Sequence, residues 1–170
     1  GIVGDDTYIF CEVISLKADE MVSEAHEISK LHSNTIIKIP MCAEGLKAVS
    51  RLKNEGIKTC VTLCFSAGQA LLASNAGASF VAPFLGRVDD IGWDGLQLVS
   101  EIAEMFAIQG TETQIVAAST RNPLHVIGLA KCGCDIATVP YKIIMQMIEH
   151  PLTKNGLEKF LKDWESVPKN

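Results

Sequence analysis

The stretch Thr35-Ile36-Ile37-Lys38-Ile39-Pro40 is a β-type run of branched apolar residues with a single ammonium in its middle. Side chains alternate along a strand, so Lys38 shares a face with Ile36, while Ile37 and Ile39 line the face that packs on helices. Burying an unpaired ammonium costs on the order of several kcal/mol. Lys38 must therefore be paired, solvated in a cavity, or relieved by losing its proton more readily. The preceding strand-like run, Tyr8-Ile9-Phe10-Cys11-Glu12-Val13-Ile14, repeats the anomaly with an acid. Glu12 shares a face with Phe10 and Ile14, opposite Ile9, Cys11 and Val13, so both charges are expected to point into one interior.

Outward from these two runs, short strand-like segments alternate with helical ones, the pattern of parallel βα units. Strands are expected near Tyr8–Ile14, Thr35–Ile39, Lys58–Leu63, Phe80–Phe84, Gln114–Ser119 and Asp135–Val139, about six in all. Asp19–Leu31 carries Val22, Ala25, Ile28 and Leu31 at helical spacing, and Ala43–Asn54 carries Leu46, Val49 and Leu52. Gly56, Gly77 and Gly133 each end a helical segment just before a strand, as left-handed C-caps do. Asn122-Pro123 opens another helix with a capping side chain and a proline at its first position. Leu157, Phe160, Leu161 and Trp164 give a last helix, about 154–165, an apolar face expected to cover the barrel or a neighbouring subunit. Leu85–Gly95 reads as the long irregular loop near a strand end. Residues 1–170 form a single domain on this reading.

Composition narrows the function. The chain has 170 residues, 48% of them hydrophobic, and a net charge of −5 with no block of basic residues. That excludes the electrostatic footprint of a nucleic-acid or anionic-membrane binder and leaves small anionic substrates open. No apolar run is long enough to span a membrane and no signal peptide opens the chain, so a soluble, cytoplasmic protein is expected. The chain starts at Gly1 without an initiator Met, as a processed or truncated product does. Most of the six cysteines sit in apolar periodic segments as reduced small hydrophobes. Cys132-Gly133-Cys134 lacks a second Cys pair or a nearby His, so no metal site is expected.

Lys38 and Glu12 admit two readings: a buried ion pair joining two strands, or an amine nucleophile with an acid–base partner. A free lysine, with a pKa of about 10.4, is neutral in roughly one molecule in two thousand at pH 7, so nucleophilic use requires desolvation or a cationic neighbour. Thr62 is expected on the same face as Cys60 and Cys64, where it either holds a water beside Glu12 or is simply a strand-loving residue. Arg87 and Arg121 each follow a strand's C-terminal end, where barrel enzymes place their sites. With Ser119 they form a phosphate clamp, or they are solvated surface arginines. His26, His32, His125 and His150 read as satisfied or solvated, and Asp89, Asp90 and Asp94 as a solvated loop face.

In its motifs the chain resembles the transaldolase family, specifically the small bacterial and archaeal type related to fructose-6-phosphate aldolase. The resemblance runs through Cys11-Glu12-Val13-Ile14-Ser15-Leu16, Ile37-Lys38-Ile39-Pro40, Thr62-Leu63 with Phe65 and Gln69-Ala70, Ala82-Pro83-Phe84-Leu85-Gly86-Arg87, Ala117-Ala118-Ser119 and His150-Pro151-Leu152-Thr153. It implies a (β/α)8 TIM barrel of class I aldolase type. It also implies that Lys38 captures a ketose phosphate as a Schiff base, without metal or organic cofactor. Glu12 and Thr62 then handle the water of iminium formation and hydrolysis, and Arg87, Ser119 and Arg121 bind phosphate. Glu12 and Phe84 match the transaldolase branch, where the aldolase branch carries glutamine and tyrosine. The implied reaction moves a dihydroxyacetone unit from sedoheptulose 7-phosphate to glyceraldehyde 3-phosphate in the non-oxidative pentose phosphate pathway.

The alternatives are a fructose-6-phosphate aldolase and an inactive barrel remnant that binds sugar phosphate or serves as an assembly subunit. Cys60 departs from the asparagine of close transaldolase relatives. The family's first two βα units, which carry a catalytic aspartate and a Thr-Asn-Pro motif, have no counterpart here, and Asp5 and Asp6 do not match that aspartate's context. A barrel of this kind typically takes about 250 residues, small ones about 200, in keeping with about six strands here. Exposed edges on the first and last strands would call for a partner, and relatives form ring-like oligomers, so a homo-oligomer is expected, with a segment supplying the missing strands.

Overall fold

The structure, a computed structural model, describes residue 4 and residues 7–167. Asp5 and Asp6 lie outside the described residues. Strands and helices alternate in the order β1 (Ile9–Glu12), α1 (Ala18–Ser29), β2 (Thr35–Pro40), α2 (Ala43–Asn54), β3 (Thr59–Cys64), α3 (Ala67–Ala76), β4 (Phe80–Pro83), α4 (Leu85–Asp90), α5 (Gly95–Gln109), β5 (Gln114–Ala117), α6 (Pro123–Lys131), β6 (Ile136–Ala137), α7 (Tyr141–Ile148) and α8 (Pro151–Glu165). The six strands pair in sequence order, all parallel.

The sheet curls strongly. Phe10 of β1 and Phe80 of β4 are three strands apart, about 14 Å in a flat sheet, yet their rings meet edge to face with centroids 5.5 Å apart. Two apolar layers follow from the strand alternation. Ile37, Ile39, Val61, Val81 and Ile115 pack outward against Met21, Ala48, Leu52, Ala73 and Ile102 of the helices. Ile36, Cys60, Phe80, Ala82 and Val116 turn inward, joined by Phe10, Phe84 and Ile136, and fill the concave side. The described residues thus form a curled wall of six parallel strands with helices on its outer face, in keeping with the parallel βα units of the sequence pattern and with the (β/α)8 barrel that the family resemblance implies.

The helix ends follow the local chemistry. Gly56, Gly77 and Gly133 all have positive φ, at 74°, 96° and 83°, and Asn122 caps α6 by accepting the His125 N–H at 3.0 Å. No described helix is long and apolar enough to cross a membrane.

Four expectations are corrected. The Leu85–Gly95 segment is not an irregular loop: it opens with α4, and Asp94 caps α5 by accepting the Gln97 N–H at 2.9 Å. Cys64 does not share the face of Cys60 and Thr62. Leu63 adopts φ 58° and the β3–β4 register slips there, which turns Cys64 to the helix side. Ile14 does not share the interior with Glu12, because β1 ends at Glu12 and Ile14 is exposed. The last helix starts earlier than expected, at Pro151, and α8 buries none of its described residues. Phe160 and Trp164 are 69% and 70% exposed, so within this chain α8 does not cover the barrel.

Candidate active site

β1 and β2 place the two anomalous charges side by side. Glu12 and Lys38 are register partners, and their side chains meet with Lys38 Nζ donating to Glu12 Oε2 at 2.9 Å. The Lys38 side chain is 25% exposed and that of Glu12 48%. The pair thus lies where the concave face opens to solvent, within reach of a small molecule. A pair with half of its carboxylate in water contributes little to stability.

β3 supplies the next layer. Cys60 is the register partner of Lys38 and is fully buried in the concave cluster. Burial pushes its thiol up to about 12, with the nearby Lys38 ammonium acting in the opposite sense. Cys60 is accordingly a neutral thiol at physiological pH, unfit as a nucleophile. Thr62 follows two residues on, about 7 Å along the strand. Its Oγ1 is buried and finds no hydrogen-bond partner among the described residues. A buried hydroxyl left unpaired costs about 1–3 kcal/mol, a penalty that a hydroxyl with a purely structural role normally avoids.

A second cluster forms at the C-terminal ends of β4 and β5. Phe84 packs in the concave layer, bridges to Ala118 just past β5 and carries the Arg87 guanidinium over its ring at 5.1 Å. Ser119 takes the left-handed conformation at φ 66°, an unusual state for a serine and one that accumulates at functional turns. Its Oγ accepts from Arg121 Nε at 3.4 Å. A cavity of about 230 Å³ lined by Ser119, Thr120, Thr138, Val139 and Pro140 opens beside it. Gly86 lets these segments meet: a Cβ there would lie 2.1 Å from the Ser119 carbonyl oxygen and 2.8 Å from Arg121 Cγ.

All seven residues singled out from the sequence lie on the concave face or at the C-terminal strand ends. Lys38 and Glu12 touch, Thr62 lies on the neighbouring strand, and Arg87, Ser119 and Arg121 gather with Phe84 in the second cluster. The sequence reading missed how this cluster is braced. Asp90 is not merely solvated, since it accepts from Arg121 Nη2 at 2.7 Å. Asp89 accepts the Gly95 N–H at 2.8 Å and lies 3.2 Å from His125 Nε2. Nothing in the spacing of these residues signals the bracing. The one usable sign is Gly86 directly before Arg87, a residue without a side chain where two segments approach closely.

The family described as Transaldolase/Fructose-6-phosphate aldolase matches residues 1–170. A probable transaldolase of Clostridium botulinum (strain Eklund 17B / Type B) is 64% identical over 158 residues, 93% of this chain and 74% of that protein. A probable transaldolase of Heliobacterium modesticaldum is 57% identical, covering 95% of this chain and 75% of that protein. Among solved structures, GMP reductase from Trypanosoma brucei overlays with a TM-score of 0.58 at 15% identity, over 79% of this chain and 33% of that one. A mandelate oxidase variant overlays at 0.59 and 10% identity, over 79% of this chain and 48% of that one. These two likenesses bear on the fold alone. The relatives at 57–64% identity and the match along the full length go further: the chain belongs to the transaldolase/fructose-6-phosphate aldolase family.

Proposed function

We propose that the chain acts as a transaldolase, transferring a dihydroxyacetone unit from sedoheptulose 7-phosphate to glyceraldehyde 3-phosphate through a Schiff base on Lys38. The observation that carries the reading is the Lys38–Glu12 contact at 2.9 Å in the open mouth of the concave face. The relatives named probable transaldolase support it.

In this mechanism the Glu12 carboxylate takes a proton from the Lys38 ammonium. The neutral Nζ then attacks the ketose carbonyl carbon, giving a carbinolamine. Glu12 returns the proton to the carbinolamine hydroxyl, which leaves as water, and the iminium forms. Its positive nitrogen draws in the electron pair of the C3–C4 bond while the C4 hydroxyl passes its proton through water to the Glu12 carboxylate, so the first aldehyde departs and an enamine stays on Lys38. The enamine carbon attacks the carbonyl of glyceraldehyde 3-phosphate, whose oxygen takes that proton back from Glu12, and water hydrolyses the new iminium. Thr62 is proposed to hold that water near Glu12, which gives its unpaired hydroxyl a purpose. Arg87, Ser119 and Arg121 bind the phosphate at the far end of the sugar, by charge-assisted hydrogen bonds.

Phe84 offers no hydroxyl to protonate the enamine, which favours its capture by an aldehyde over release of dihydroxyacetone. The proposed setting is the cytoplasm and the non-oxidative pentose phosphate pathway, with sugar phosphates as the small-molecule partners and the chain associated with copies of itself.

A coupled assay with sedoheptulose 7-phosphate and glyceraldehyde 3-phosphate tests the assignment. Transfer is expected only with both substrates present. Steady release of free dihydroxyacetone from fructose 6-phosphate without an acceptor would instead assign the aldolase activity.

A further inference from the structure

We infer that His125 and Asp89 form a positioning pair that sets Arg121 for phosphate recognition. This rests on the phosphate role proposed above for Arg87, Ser119 and Arg121. The backbone N–H of Arg121 points at His125 Nδ1, 3.3 Å away. To accept that bond Nδ1 must be unprotonated, so Nε2 carries the ring proton and donates it to Asp89 Oδ2 at 3.2 Å. The other Asp89 oxygen accepts the Gly95 N–H at the start of α5. The imidazole is thus a strut between the loop that carries Arg121 and the two helices flanking Asp94. The His125 side chain is 12% exposed and that of Asp89 37%, so the ring sits in a largely enclosed place with its partners nearer the surface.

The strut acts where the loop needs help. Ser119, two residues before Arg121, holds the strained left-handed conformation, and such a turn persists only when its surroundings fix it. The fixing contacts include the Gly86 approach to the Ser119 carbonyl oxygen, the buried Thr120 hydroxyl donating to the Thr138 carbonyl at 2.6 Å, the Asp90 carboxylate on Arg121 Nη2, and the His125 ring on the Arg121 backbone. Asp90 and Arg121 are half exposed and their bond exchanges readily with solvent. Of the ties on Arg121 itself, the His125–Asp89 link is more shielded than the Asp90 carboxylate, and it fixes the backbone rather than the tip of the arginine. His125 and Asp89 touch no substrate on this account; they act through Arg121.

The test measures binding rather than turnover, so it does not depend on the chemistry at Lys38. Inorganic phosphate is titrated by calorimetry against the parent chain, His125→Leu, His125→Gln and Asp89→Asn, with melting temperatures recorded in parallel. His125→Leu is expected to weaken phosphate about tenfold, the scale of one lost, shielded hydrogen bond. His125→Gln offers an amide oxygen and an amide N–H and is expected to recover at least half of the affinity on a logarithmic scale. Asp89→Asn has one carbonyl oxygen where two donors arrive at separate oxygens, and about a threefold loss is expected. If His125→Leu does not fold, the Gln and Asn variants decide alone. Unchanged phosphate affinity in the folded variants overturns the positioning pair and leaves the phosphate clamp standing. Failure of the parent chain to bind phosphate at all removes the clamp and the inference with it.

Discussion

At the scale of single residues, the two charges in apolar strands were legible because an ammonium and a carboxylate flanked by isoleucine, phenylalanine and valine have no cheap location. That they are register partners is a property of the folded sheet, which strand order alone does not fix. For Thr62 the sequence left a water-holding role and a plain strand role open, since an unpaired hydroxyl is a property of the packed molecule. Thr62→Val keeps the shape and removes the oxygen. Steady-state kinetics should show kcat reduced about tenfold to a hundredfold, while thermal melting shows no loss of stability because a desolvated hydroxyl is gone. A fall in both would make Thr62 a structural residue. The thiols give a pH prediction. Burial raises Cys60 to about 12 and Cys64 to about 11, against about 8.5 for an unfolded thiol. The fold therefore keeps these protons after the unfolded chain has lost them. Their contribution is intact below about pH 8.5 and declines as pH rises toward about 11 to 12, by at most about 1.4 kcal/mol per pH unit for each thiol. Melting curves at about pH 8 and about pH 10 should therefore fall further apart for the parent than for Cys60→Ala/Cys64→Ala.

Among the elements, periodicity predicted α2 to its end residues and the glycine-capped turns as built, since both depend on local chemistry. It failed where tertiary contacts decide. The register slip at Leu63 has no glycine or asparagine to announce it, so Cys64 was placed on the wrong face. The start of the supposed Leu85–Gly95 loop is helical because α4 packs its Leu85 and Val88 into the outer core, a gain that the sequence of so short a segment does not display. The contact between α4 and the loop after β5 passes through Gly86. Gly86→Ala would drive a methyl against the Ser119 carbonyl oxygen, and a loss of about 1–3 kcal/mol is expected from overpacking. Denaturant unfolding should register that loss, and phosphate affinity should fall with it. An unaltered midpoint would show that α4 does not brace the clamp.

Over the whole molecule, the strand count and parallel order were readable from alternating patterns, whereas the curl appears only in contacts such as that of Phe10 with Phe80. The exposed apolar side chains of α7 and α8, among them Ile148, Leu157, Phe160, Leu161 and Trp164, are far from the usual lot of such residues. If this face associates with copies of the chain, sedimentation should show an oligomer that Phe160→Asp/Trp164→Asp dissociates without lowering helix content; a monomeric parent chain would contradict it. The central claim, however, is that the pairing of Lys38 with Glu12 is a catalytic device rather than a tie between strands. Its most direct test is borohydride reduction in the presence of fructose 6-phosphate, followed by peptide mass analysis. The account predicts a stable sugar-derived adduct on the peptide containing Lys38, absent in Lys38→Arg and formed more slowly in Glu12→Gln. An unmodified Lys38 peptide in the parent chain, under conditions where the chain is folded and binds phosphate, would contradict it.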